Sequence, residues 1–177
     1  MMPATFRLLT ARTMLAPFRP ADADALLAVF RDPGVRDSLL DGVDVDAEGM
    51  AAEIEASQRR FARFGTGLWA VRRRGQPDLV GFAGFREFFD PPDLQLLYGF
   101  LPSVRGQGLA TEVTERVCDY AFRELGLLFL RGMRSHEHAV AAGFVHGLHD
   151  EVRQVVENVI TLLRVDAEIG GDVRQDG

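Results

Sequence analysis

The chain has 177 residues, 47 % of them hydrophobic and 26 % charged, values typical of a globular protein in water. The net charge of −6 argues against a general nucleic-acid binder, and no apolar run approaches the roughly 20 residues of a membrane span. There is no lysine, which excludes Schiff-base chemistry, and the single cysteine, Cys118, cannot form an internal disulfide. Without a signal-peptide pattern, these features predict a cytoplasmic protein.

The first half of the chain predicts two helices among short strands. "RTMLAPFRP" predicts a strand ended by Pro20, and "ADADALLAVFRDPG" predicts a helix with an acidic first turn. Apolar residues recur at helical spacing from Asp46 to Phe64, which predicts a second helix. "LWAV" and "LVGFAGF" flank the turn-like "RGQPD" and predict a hairpin.

The second half predicts a buried strand, a glycine loop and further elements. "LQLLYGFL" is nearly continuously apolar, which predicts a strand buried on both faces. A helix follows from Leu109 to Leu125, then a strand in "LLFLRGM", a short helix in "SHEHAVAAGF" and an antiparallel pair in "DEVRQVV" and "ENVITLLRV". This order predicts an α/β (α+β) fold with a mixed sheet, in one domain over residues 1–169 with a disordered tail over 170–177.

The loop "FLPSVRGQGLATE" places two glycines between a strand and a helix start. A helix N-terminus has unpaired N–H groups and about half a positive charge, and glycine lets the backbone approach a phosphate closely. Phosphate binding and a plain turn are both consistent with these residues. The dinucleotide fingerprint fails because Thr111 stands where a glycine is needed, and the nucleotide P-loop fails because it needs a lysine.

A third motif fits this loop. Residues 105–110, "RGQGLA", match the [RQ]-x-x-G-x-[GA] motif of the GCN5-related N-acetyltransferases (GNAT). "LLYGFLPSVRGQGLATEV" resembles the strand, loop and helix start of the branch that contains the ribosomal-protein N-terminal alanine acetyltransferases. "RTMLAPFRPADADALLAVFRDPGVRDSL" resembles the opening strand and helix of that branch, and the resemblance extends roughly from Arg12 to Gly126.

The resemblance implies a mixed, mostly antiparallel sheet flanked by helices, with a splayed central strand pair, and acetyl-coenzyme A (acetyl-CoA) as co-substrate. Backbone groups of Phe100 and Leu101 are then expected to pair with the pantetheine arm, as an added strand would. The implied acceptor is a primary amine, either a protein N-terminus or a small amine, which attacks the thioester directly without a metal. Dimers are common among proteins that resemble this chain. The implied pyrophosphate-binding residues are Arg105, Gly106, Gln107, Gly108, Leu109, Ala110 and Thr111.

The catalytic positions depart from the family pattern. Gln95 stands where the family usually has a glutamate base, and glutamine cannot take a proton at neutral pH. Glu87, or a water held by Tyr98, is the alternative base, and Ser135 is the candidate acid in a C-terminal segment shorter than the family's. About one α-amine in seven is neutral at pH 7, against roughly one lysine side chain in 2,500. The sequence therefore predicts a preference for weakly basic amines.

Two other readings remain open. One is a catalytically degenerate module of the same fold that binds acyl-CoA or a protein partner, and the other is a chain whose C-terminal third is altered by a deletion or frame change. Cys118 is predicted to be a buried packing residue, and the four histidines match no structural zinc pattern. The arginines of "VRRRGQ" are predicted to form a solvated hairpin edge, with binding of the 3′-phosphate of CoA as the alternative role.

Overall fold

A computed structural model of the chain describes residues 6–39, 44–88, 93–127, 129–134 and 137–142. Within these ranges no helix is long and apolar enough to cross a membrane. The predicted closing pair, Ser135 and the predicted C-terminal tail lie outside the described residues.

A seven-stranded sheet in the order β1 to β7 forms the centre of the fold. Its first five strands run antiparallel, β5 and β6 are parallel, and β6 and β7 are antiparallel. The strands are β1 (Leu8–Leu9), β2 (Thr13–Pro17), β3 (Leu68–Arg73), β4 (Leu79–Phe88), β5 (Asp93–Phe100), β6 (Phe129–Arg134) and β7 (Glu137–Ala142). This arrangement confirms the predicted mixed, mostly antiparallel sheet, its hairpin and its buried strand.

Helices cover both faces of the sheet. They are α1 (Ala23–Phe30), α2 (Pro33–Leu39), α3 (Ala47–Phe64) and α4 (Leu109–Asp119), which continues into a π-helical turn at Tyr120–Glu124. Apolar residues of α1 and α3 pack with Leu97 on one face, while α4 packs with Leu96 and Phe100 on the other. Side chains alternate between the two faces of a sheet along each strand, so consecutive residues of β5 face different helices.

Aromatic side chains form the centre of one core cluster. Trp69 is fully buried and makes edge-to-face contacts with Phe61, Phe85 and Tyr120. Its indole N–H donates to the carbonyl of Phe6 at 2.6 Å, which satisfies the one polar group of the ring.

Two predicted elements differ from the structure. Asp-Pro-Gly was predicted to end the first helix, but Pro33 also begins α2, because Asp32 Oδ1 accepts from the N–H groups of Gly34 and Val35. The segment predicted as a short helix, "SHEHAVAAGF", contains β7 instead. Pairing along the outer edge of β6 satisfies the backbone of both strands, and that long-range gain overrides local helix propensity.

Candidate active site

The glycine loop turns sharply between β5 and α4. After a 3₁₀ turn at Pro102–Val104, Gly106 and Gly108 both have φ of +72°, in the left-handed region that only glycine adopts at little cost. Gly108 is the N-cap residue of α4 and has no side chain with which to cap it. The N–H groups of the first turn, Leu109 to Thr111, therefore have no intrahelical partner.

The outer surface of this loop is open. A Cβ atom added at Gly106 would meet no heavy atom within 4 Å, and one at Gly108 would meet only Arg12 Nη2, at 3.6 Å. An exposed set of amide N–H groups at the positive end of a helix is suited to an anion such as a phosphate. The residues therefore fit the pyrophosphate of a coenzyme A.

Gln107 holds the loop in place through both ends of its side chain. Its Oε1 accepts from Arg73 Nη2, and its Nε2 donates to the carbonyl of Ser103 at 3.0 Å. The carbonyl of Gln107 accepts from Arg12 Nη1 at 2.8 Å. These contacts place two guanidinium groups at the loop, and only Arg73 was considered for phosphate binding from the sequence.

Arg105 connects the loop to the turn between α1 and α2. Its Nη2 pairs with Asp32 Oδ1, and its Nε donates to the carbonyl of Phe100 at 3.1 Å. The side chain is 44 % exposed, so its charge remains near the loop although much of its fork is engaged within the protein. The sequence identified Arg105 but contained no signal for its partner Asp32.

Glu112 anchors Arg12 from the first turn of α4. Its Oε1 accepts from the Arg12 backbone N–H at 2.8 Å, and its Oε2 accepts from Arg12 Nε at 2.5 Å. Burial, the largest single cause, raises the pKa of Glu112, but hydrogen bonds from Thr10 and Arg12 together with the Arg12 charge outweigh it and lower this pKa. The ionised carboxylate therefore stabilises the folded state.

We expect Glu112→Gln to destabilise the protein at pH 7 by at most about 1 kcal/mol, because Arg12 is half-exposed. The pKa of Glu112 is lower in the folded state than its ordinary value of 4.5, so the ionised carboxylate stabilises the fold fully above about pH 4.5. This stabilisation is lost as the pH falls through the folded-state pKa. The difference between wild type and variant in urea unfolding should therefore shrink below about pH 4.5. Glu115→Gln, an exposed change on the same helix, is the control, and a pH-independent difference would contradict the assignment.

Strands β5 and β6 pair over a short stretch and then separate. Among the described residues their pairs are Gln95 with Arg131 and Leu96 with Gly132, whereas β5 pairs with β4 along its whole length. Beyond Leu96 no further pair with β6 occurs among the described residues, which agrees with the predicted splayed strand pair. We call the region on the β6 side of β5, along residues 97–100, the wedge.

The backbone of β5 determines which groups point into the wedge. The N–H of Leu101 donates to the carbonyl of Val80 at 3.0 Å, and its carbonyl accepts from Val104 N–H at 3.1 Å. The N–H of Leu101 is thus used within the fold, whereas its carbonyl oxygen keeps a second lone pair. Pairing of Leu101 with pantetheine stays a prediction. The backbone N–H and C=O groups of successive residues point to alternate sides of a strand. Since the N–H of Leu101 points to β4, the N–H of Phe100 and the backbone groups of Tyr98 point to the β6 side.

The candidate catalytic residues lie on opposite faces of the sheet. Gln95 shares the face of Leu97, towards α1 and α3, whereas Tyr98 and Glu87 share the face of α4. Glu87 pairs with Leu94, four residues from Tyr98, which is about 13 Å along the strand. The structure therefore separates these three residues.

Cys118 is excluded as a nucleophile. The thiol is 4 % exposed, and burial, followed by the charges of Glu115 and Asp119, raises its pKa to about 12. A thiolate is therefore negligible at neutral pH, and the predicted packing role is confirmed. No cluster of His, Cys, Asp and Glu that would hold a metal occurs in the part of the chain that the structure describes.

Residues 12–144 match the family model of the acetyltransferase (GNAT) domain. The chain belongs to this family, which supports acetyltransferase activity with acetyl-CoA as co-substrate.

Three solved structures share the fold. An acetyltransferase from Agrobacterium tumefaciens str. C58 is 20 % identical over 90 % of this chain and 83 % of its own, with a TM-score of 0.61. A Vibrio cholerae protein assigned as a ribosomal-protein-serine acetyltransferase is 22 % identical over 74 % and 75 %, with a TM-score of 0.55. The Salmonella typhimurium protein yncA, solved with its cofactor acetyl-CoA, is 20 % identical over 68 % of each chain, with a TM-score of 0.54.

Proposed function

We propose that the protein transfers an acetyl group from acetyl-CoA to a primary amine, either a protein N-terminus or a small amine. The observation that carries the proposal is the open N-terminus of α4 beside the wedge. The open surface at Gly106 and Gly108 offers the amides of α4 to a diphosphate, and the wedge offers the edge of β5 to an extended chain. A ligand with a diphosphate joined to a pantetheine arm presents both features.

Within this proposal the backbone N–H groups from Gly106 to Thr111 hold the pyrophosphate. Arg105 contributes charge beside it while Asp32 fixes its side chain, and Gln107 holds the loop between Arg12 and Arg73. The pantetheine arm lies along the wedge, paired with the backbone at Phe100 and in contact with the side chain of Leu101.

The reaction that follows is a direct transfer. The neutral amine attacks the thioester carbonyl, a C–N bond forms, the C–S bond breaks, and the departing thiolate takes up a proton while the amine nitrogen loses one. Tyr98 is the proposed proton donor to the thiolate, because its backbone belongs to the wedge and its ring lies on the face of α4. Glu87 as base and Ser135 as acid stay predictions, and Glu87 is far from Tyr98 along the sheet.

The charge and composition support the remaining parts of the proposal. A net charge of −6 suits a small co-substrate bound by local arginines better than a nucleic acid. We infer a cytoplasmic location from the single buried thiol and propose that the reaction uses no metal. Dimerisation stays a prediction.

The second candidate function is binding of acyl-CoA or a protein partner without turnover. It is favoured by Gln95, which cannot act as a base, and by β7, which occupies a segment predicted to be helical.

Release of free thiol from acetyl-CoA separates the two candidates. We expect release that depends on an added amine, with mass spectrometry identifying one acetyl group on peptide N-termini or small amines. The panel should include a peptide with a free N-terminus and one with only a lysine amine. Binding of acetyl-CoA without thiol release across the panel would contradict transfer and support the binding module.

A further inference from the structure

Gln95 is the most unusual polar residue that the structure describes. It is 0 % exposed, and neither its side-chain Nε2 nor its Oε1 has a hydrogen-bond partner among the described residues. Buried amides are nearly always hydrogen-bonded, because leaving both ends of such a dipole without a partner is costly. The unmatched amide therefore points to a polar group that meets it during function.

The position of Gln95 connects it to the proposed reaction. It forms one of the two pairs between β5 and β6, at the inner end of the wedge. A chain that enters from the glycine loop and follows β5 inwards approaches this point. The side chain faces α1 and α3, the side of the sheet opposite α4.

The charged residue across from Gln95 on β4 is engaged with α3. Arg86, directly across from Gln95 on β4, pairs with Glu53 of α3 at 3.5 Å, and Glu53 also pairs with Arg60 at 2.9 Å. These pairs direct the charges towards α3.

We propose that Gln95 recognises the acceptor and selects amines that carry a carbonyl group on the adjacent carbon. This inference rests on the proposed acetyl transfer. A carboxamide offers one acceptor oxygen and one donor nitrogen side by side. An α-amino carbonyl offers the complement, because its amine donates to Oε1 and its carbonyl accepts from Nε2. A simple alkylamine matches only Oε1 and leaves Nε2 buried without a partner.

Two amines of similar basicity test the proposal without any variant. Glycinamide carries the adjacent carbonyl, and propargylamine lacks it, so both supply a similar neutral fraction at one pH. We expect kcat/KM for glycinamide to exceed that for propargylamine by about 10- to 100-fold, the range for a buried polar group left unmatched by the wrong substrate. Equal kcat/KM values for the two amines would overturn the inference while leaving acetyl transfer intact.

Gln95→Met removes both polar atoms and keeps the length of the side chain. We expect it to abolish the preference, so that glycinamide and propargylamine react with about equal kcat/KM. Glycinamide then falls further than propargylamine, because it loses two hydrogen bonds and propargylamine loses one, and the melting temperature stays unchanged or rises. An apolar replacement of an unmatched buried amide has no hydrogen bond to lose. Gln58→Met is the matched control, because Gln58 is a partly buried glutamine on α3 bonded to the carbonyl of Phe18 at 3.0 Å.

The pattern across acceptors and stability distinguishes the outcomes. If Gln95→Met slows both amines equally and lowers the melting temperature, the amide is bound to a buried water in a structural role, and the inference fails. If neither amine is acetylated by the wild type although acetyl-CoA binds, the proposed transfer fails and acceptor recognition fails with it. Selective loss of the glycinamide reaction supports the inference.

Discussion

Gly108→Glu is expected to weaken acetyl-CoA binding by at least about 100-fold. The change adds a carboxylate to the open surface where the pyrophosphate is proposed to lie, and the like charges repel each other in the positive field of the helix end. It also forces a non-glycine residue to adopt φ of +72°, which costs about 1–2 kcal/mol. Calorimetric titration of acetyl-CoA into wild type and variant measures the loss.

Gly126→Glu is the matched control for strain and charge. Gly126 has φ of +67°, and a Cβ atom added there would meet nothing within 4 Å, so the same substitution carries the same backbone cost. It follows the π-helical turn after α4, about 25 Å from Gly108 along the helix axis. We expect it to lower the melting temperature about as much as Gly108→Glu and to leave acetyl-CoA affinity within about 2-fold of wild type.

The two variants together test whether the loop binds the pyrophosphate of acetyl-CoA. Selective loss of binding in Gly108→Glu assigns the pyrophosphate site to the start of α4. Unchanged binding in Gly108→Glu would mean that the loop is only a turn, and the proposed function would lose its central support. Equal losses in both variants would place the effect in the stability of α4 and not in the site.

Asp22→Ala is expected to reduce the free energy of unfolding by about 3–5 kcal/mol. Asp22 is 3 % exposed and pairs with Arg72 Nη2 at 2.6 Å and with Arg19 Nη2 at 3.1 Å. Removing the carboxylate leaves the guanidinium of Arg72 buried without a compensating charge, since its other bond is from Nε to the carbonyl of Pro77. Urea unfolding measures the change, which corresponds to a fall in melting temperature of about 6–20 °C.

Two further variants identify the cause of that loss. Asp24→Ala removes an exposed carboxylate two residues away and should change the free energy of unfolding by less than about 0.5 kcal/mol. The double change Asp22→Ala with Arg72→Leu removes both charges and should recover part of the stability, because an uncompensated buried charge is worse than an apolar pair. A double variant less stable than Asp22→Ala alone would contradict the ion-pair account.

Local signals predicted most of the elements. Apolar spacing predicted a helix from Asp46 to Phe64, and the structure has it at Ala47–Phe64. Asp46 caps it by accepting from Gly49 N–H at 2.7 Å, and Gly65, with φ of +71°, ends it. The continuous apolar run of β5 predicted burial on both faces, and Leu96 and Leu97 confirm it. The short helix predicted in place of β7 was wrong, because only the free edge of β6 determines that this segment pairs as a strand.

The sequence by itself determined the glycine loop, its place between a strand and a helix, and the family. These depend on dihedral freedom, periodicity and a motif within a few residues, and all of them can be read along the chain. Only the tertiary structure decided that Arg105 pairs with Asp32, that Arg12 and Arg73 meet at Gln107, and that the amide of Gln95 is buried without a partner. Each of these features depends on residues that are far apart in the chain and are brought together by the order of the strands. No local sequence pattern specifies such contacts.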